Sequence, residues 1–198
     1  MRNKNRRLAF VVLSMLVAAL ASCGPEVNEQ PAILAKANIY AVTSVSDDSY
    51  TVSTQEIGAA TFSERNGIVT IKINAIDLTP SNRHAIHIHE GTCESPDAHW
   101  NQNTQASFCT ALNLGAAWAK PYAGDVGNIR ADATGTGYFE LSTEFWRLGT
   151  GDDFDITGKV LIIHANEEDF AQECFQDHNH AHNNAKIACG TIELITND

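Results

Sequence analysis

The sequence predicts an all-β fold, a sandwich or barrel of short strands. Candidate strands recur along the chain, each bounded by turn residues such as Ser46-Asp47-Asp48-Ser49, Arg65-Asn66-Gly67 and Thr79-Pro80-Ser81-Asn82. Between the last two turns lies the clearest alternation in the chain: Val69, Ile71 and Ile73 share one side, Thr70, Lys72 and Asn74 the other. No segment of the globular part carries a helical period. At 43% apolar and 19% charged residues, the 198-residue chain has the composition of one ordinary domain with a core.

The N-terminus stands apart from that domain. Arg2, Lys4, Arg6 and Arg7 precede an apolar run from Leu8 to Ala21, the pattern of a secretory signal and shorter than a membrane span. The run ends in Leu20-Ala21-Ser22-Cys23, which resembles the lipobox of bacterial lipoproteins, so residues 1–22 are expected to be a signal peptide and Cys23 the lipidation site. Residues 23–36, polar and punctuated by Pro25 and Pro31, are expected to be a lipidated tether, and residues 37–198 the domain. The protein is then an exported cell-envelope lipoprotein, on the periplasmic or outer-surface face of a bacterial membrane. Loss of four basic residues with the signal takes the formal charge from −11 to −15, which argues against nucleic acid as a partner. Four cysteines remain after Cys23: Cys93, Cys109, Cys174 and Cys189, enough for two disulfides in an oxidising compartment, with three connectivities open.

In order, the expected strands are Ala37–Val42, Ile57–Ser63 and the alternating run at 69–74, then His84-Ala85-Ile86-His87-Ile88-His89-Glu90. As a strand, this last stretch places Ala85, His87 and His89 on one face and His84, Ile86 and Ile88 on the other. Two imidazoles on one strand face can share one metal ion, and neutral imidazole suits copper, zinc, iron and nickel. Residues 91–135 show little periodicity, the mark of a long functional loop. Strands resume at Gly137–Leu141 and Lys159–His164. A second irregular stretch, 165–186, holds His178, His180 and His182, and Ala188–Ile195 closes the chain.

These residues resemble the copper–zinc superoxide dismutase family. The His84–Glu90 stretch is similar to its metal-binding strand, and Cys93 followed by His99-Trp100-Asn101 has its Cys…His-aromatic-Asn spacing. Gly124-Asp125-Val126-Gly127-Asn128, Gly158–His164 and Ala188-Cys189-Gly190-Thr191-Ile192 follow in the family's order. The resemblance implies a Greek-key β-sandwich or flattened barrel of about eight antiparallel strands with two long functional loops. It places His87, His89, His99 and His164 on the copper-ligand positions, His84 on a structural one, and Cys93 with Cys189 on the family disulfide. Asp125 falls on the zinc aspartate, but the two further zinc histidine positions are Ser107 and Tyr122. A structural zinc site wants four ligands, so zinc is not expected and Asp125 is a remnant of its site. His178, His180 and His182 are expected to be a solvated polar loop. Cys109 and Cys174 could join the two long loops covalently where zinc joins them elsewhere. The family's active-site arginine is replaced by Lys186, which keeps the charge and loses the planar fork.

The implied activity is a copper-only dismutation of superoxide to dioxygen and hydrogen peroxide outside the cytoplasm, with His99 and Lys186 as the catalytic side chains. The alternative is a lipid-anchored copper-binding or copper-buffering protein on the same scaffold, without significant dismutase activity. Four intact copper positions argue against a purely structural domain.

Overall fold

The structure is a computed structural model that describes residues 32–46, 49–102, 123–168 and 184–196. Ten strands account for its regular structure: β1 (Ile33–Ser46), β2 (Ser49–Arg65), β3 (Ile68–Ala75), β4 (Arg83–Gly91), β5 (Pro96–His99), β6 (Asp125–Ala131), β7 (Gly137–Thr143), β8 (Val160–His164), β9 (Lys186–Thr191) and β10 (Glu193–Leu194). No helix occurs among the described residues. Eight of the strands run in the order β1-β2-β3-β7-β6-β4-β8-β9, and antiparallel pairing of Tyr40 with Cys189 and Ala41 with Ala188 joins the last to the first. The result is the expected Greek-key barrel, closed, with no free edge along that path. β10 adds to β1 at Ala35 and Lys36, and β5 adds to β4.

Alternation decides which side chains fill the barrel. On β3, Val69, Ile71, Ile73 and Ala75 are buried while the residues between them reach solvent. Phe62, Ile86, Ile88, Ile129, Leu161 and Ile163 meet them in one apolar core. β8 is buried on both faces, because its outward side chains Val160 and Ile162 pack with Cys189, Val42 and Cys93 beneath the β4–β5 connection. Cys93 and Cys189 are joined by a disulfide, their Cα atoms 5.7 Å apart, as the family resemblance implied.

Several expected boundaries need correction. β1 begins at Ile33, inside the stretch expected to be tether, because backbone pairing of Ile33 with Glu64 extends the strand beyond its apolar pattern. β2 starts at Ser49, eight residues before the expected Ile57, for the same reason. The stretch at 91–135 contains β5 and β6, whose ladders on β4 and β7 hold short polar segments that carry no periodic signal. The single closing strand is two, divided at Ile192, whose N–H donates to the Lys159 carbonyl at 2.9 Å. Cys23, Cys109, Cys174, Ser107, Tyr122, His178, His180 and His182 lie outside the described residues.

Candidate metal centre

The centre is built on β4, whose Ile86 and Ile88 point into the core and fix the outward direction of His87 and His89. One edge of β4 pairs with β8, and the other pairs first with β6 and then with β5. That arrangement sets His99 directly across from His89, and Asp125 across from His87 after a register shift. His164 ends β8, where its outward alternation with Val160 and Ile162 brings it to the same face. The ligand atoms of His87, His89, His99 and His164 all lie within 4.8 Å of one another. The ring of His87 has its centroid 3.9 Å from that of His99 and 4.7 Å from that of His164.

Each ring has one nitrogen tied to an oxygen, which fixes its orientation and tautomer. His89 Nδ1–H donates to the Asp97 carbonyl at 2.7 Å, and His164 Nδ1–H to the Asn184 carbonyl at 2.9 Å. His99 Nδ1–H donates to the Asp125 carboxylate at 2.8 Å. His87 Nε2–H donates to the Glu168 carboxylate. The remaining nitrogens are lone-pair donors aimed at a common point. His89 Nε2 is buried with no hydrogen-bond partner, and His87 Nδ1 lies 3.1 Å from His164 Nε2. A buried acceptor with no proton to meet, beside two facing lone pairs, is costly in an apolar interior. A cation among the four nitrogens removes that cost, so the site fits an imidazole-binding metal. Burial holds His87, His89 and His164 well below the ordinary histidine pKa, His164 at about 4, with the charge of neighbouring His99 acting in the same direction. Those three rings are therefore neutral and ready to ligate at physiological pH.

His84 lies on the inner face, as alternation predicted, and its Nδ1–H donates to the His164 carbonyl at 2.9 Å. It steadies a ligand strand without joining the cluster. Lys186 opens β9 opposite His164, half-buried, and its positive charge reaches both His87 and His164. Sequence reasoning missed Glu168, the partner of His87. Its backbone N–H donates to Asn128 Oδ1 at 3.0 Å and its carbonyl accepts from Asn128 Nδ2 at 2.9 Å, a two-point clamp that aims the carboxylate. The available signal was an acidic residue four positions beyond His164 in a stretch otherwise treated as loop.

An all-imidazole cluster on the outer wall of a closed Greek-key barrel has the make-up of a metal centre in a β-barrel protein. The chain belongs to the copper/zinc superoxide dismutase (SODC) family, which it matches over residues 56–192. It is 34% identical over 144 residues to superoxide dismutase [Cu-Zn] 2 of Aquifex aeolicus, covering 69% of this chain and 78% of that one. With superoxide dismutase [Cu-Zn] of Caulobacter vibrioides it shares 31% identity over 147 residues, covering 70% of this chain and 79% of that one. Among solved structures, the Cu/Zn superoxide dismutase from Brucella abortus superposes with a TM-score of 0.57 at 19% identity, covering 81% of this chain and 99% of that one. A SOD-like protein from Bacillus subtilis gives 0.56 at 21% identity, covering 79% and 96%. These two likenesses speak to the fold.

Proposed function

We propose that this chain is a copper-only superoxide dismutase, exported and held at the cell envelope by a lipid on Cys23. Family and fold support copper-dependent superoxide dismutase activity. Copper, when bound, supplies the one-electron cycling that converts superoxide to dioxygen and hydrogen peroxide. In this reading His87 Nδ1 and the Nε2 atoms of His89, His99 and His164 hold it. The observation that supports the copper-only part is the pair of residues at the other two zinc histidine positions, Ser107 and Tyr122, neither of them a histidine. His99 Nδ1 and the Asp125 carboxylate face each other at 2.8 Å. With Ser107 and Tyr122 at the other zinc positions, Asp125 serves as an orienting acceptor for His99. The proton bound for peroxide then comes from water or from the His99 ring. Lys186 draws the anion towards the four histidines, as a point charge that lacks the two-pronged grip of a guanidinium.

The test is superoxide decay by the mature protein loaded with copper alone and freed of excess metal, beside a His164→Ala protein treated identically. Fast decay that depends on His164 and gains nothing from added zinc is the expected result. Copper bound stoichiometrically with decay no faster than the control would leave a copper-binding or copper-buffering protein on this scaffold.

A further inference from the structure

We propose that Tyr50 is a positioning residue that holds the Lys186 ammonium, through its hydroxyl, at the mouth of the four-histidine centre. The proposal rests on the reading of Lys186 as the anion-guiding charge. Lys186 Nζ lies 5.1 Å from the centroid of the Tyr50 ring and donates to Tyr50 Oη at 3.5 Å. A lysine ammonium is a strongly hydrated charge on a flexible four-carbon stem, and alone it spreads over many rotamers. The two distances together set Nζ out beyond the hydroxyl end of the ring, so the contact that limits the spread is the one to Oη.

What supports the lysine decides what it can do. Lys72 is paired with Glu140 at 3.4 Å and Lys159 with Glu90 at 2.8 Å, so each of those charges is cancelled locally. Among the described residues Lys186 has no carboxylate partner, and a neutral phenol hydroxyl holds it without cancelling it. In a chain of net charge −11, an anion entering the site meets repulsion from most of the surface, so an uncancelled cation is worth more here than a paired one. Tyr50 is itself fixed. Its N–H donates to the Glu94 carbonyl at 2.8 Å, and Glu94 follows Cys93, whose disulfide reaches Cys189, three residues beyond Lys186. Ring and amine are thus mounted on one covalently closed frame.

Tyr50→Phe keeps the ring and removes only the hydroxyl, whereas Tyr50→Leu keeps apolar bulk and removes both. In the metal-free protein, proton NMR of the Lys186 ε-methylene reports the contact directly: shifts distinct from those of a free lysine in wild type, lost in both Tyr50→Phe and Tyr50→Leu. In the copper-loaded protein, Tyr50→Leu, like Tyr50→Phe, is expected to weaken azide binding about two- to ten-fold, the factor a side-chain hydrogen bond represents. It should also flatten the ionic-strength dependence of kcat/KM. In a Lys186→Met background the same Tyr50 change should alter neither quantity. An unshifted ε-methylene in wild type, or wild-type azide affinity and salt slope in Tyr50→Leu while Lys186→Met loses both, overturns the role of Tyr50 and leaves that of Lys186 standing. Wild-type behaviour of Lys186→Met overturns the guiding charge itself. A Tyr50→Leu loss that persists in the Lys186→Met background shows that Tyr50 acts without Lys186, and it also overturns the proposal.

Discussion

Among single side chains, His164 carries two duties that pull against each other. It is buried deeply enough to lie in a core, yet its Nε2 is left for a metal while Nδ1–H is given to the Asn184 carbonyl. Burial lowers its pKa from 6.5 to about 4, and His87 and His89 shift in the same direction for the same reason. In the metal-free protein this makes stability depend on pH with a definite sign. The unfolded chain takes up protons on these rings as pH falls through 6.5, while the folded chain leaves His164 neutral until about 4. Stability is therefore whole above the unfolded value and declines as pH drops across that window, by up to on the order of 3 kcal/mol for His164 alone. Urea unfolding of the metal-free protein at pH 7, 6 and 5 should show a steadily falling midpoint, with a shallower fall in His164→Leu. A flat profile would mean that these rings are already charged in the folded metal-free protein.

At the scale of elements, the site depends on three backbones brought closer than side chains would permit. Gly124 N–H donates to the Trp100 carbonyl at 3.0 Å, and the Gly124 carbonyl accepts from Ile88 N–H at 2.8 Å. A Cβ at Gly124 would lie 2.6 Å from the Ile88 carbonyl oxygen and 2.7 Å from that of Trp100, both parts of the main chain that cannot swing aside. Gly124→Ala should therefore push β6 off β4 and β5, lengthen the His99–Asp125 bond and weaken copper binding. The expected cost in stability is about 1–3 kcal/mol, the range for overpacking a tight site. Isothermal titration with copper and thermal unfolding would measure the two effects, and an unchanged copper affinity would show that the Gly124 contact does not set the site. The same scale explains what the sequence could convey. Alternation at Val69–Ile73 and at Ala85–His89 was legible because one face of each strand meets the core. β5 and β6 were hidden, since Pro96–His99 is held by backbone pairing and by its neighbours rather than by an apolar face. His87, His89, His99 and His164 could be named from motif order, but Glu168 could not, because only the fold carries the chain after β8 back across Asn128 to His87.

Across the whole molecule, the four histidines come from β4, β5 and β8, so a bound metal ties together strands that reach the site from both edges of β4. Binding that favours the folded state adds stability by mass action, about 4 kcal/mol when free metal exceeds Kd a thousand-fold. For a domain of this size that corresponds to a rise in Tm of roughly 10 °C. The disulfide from Cys93 to Cys189 already closes the frame around β9, so the increment from copper should come from the β4–β5–β8 side and survive in the oxidised protein. The form that shows this rise should hold one copper per chain. Zinc added afterwards should bind no second equivalent and move Tm no further, since Ser107 and Tyr122 leave His99 and Asp125 as two ligands where a structural zinc wants four. Calorimetry of the metal-free, copper-loaded and copper-plus-zinc forms, with metal content measured on each, checks this. A second increment on adding zinc, matched by one bound zinc and lost in Asp125→Asn, would mean that the aspartate gives up the His99 proton to a metal and that the centre is binuclear after all.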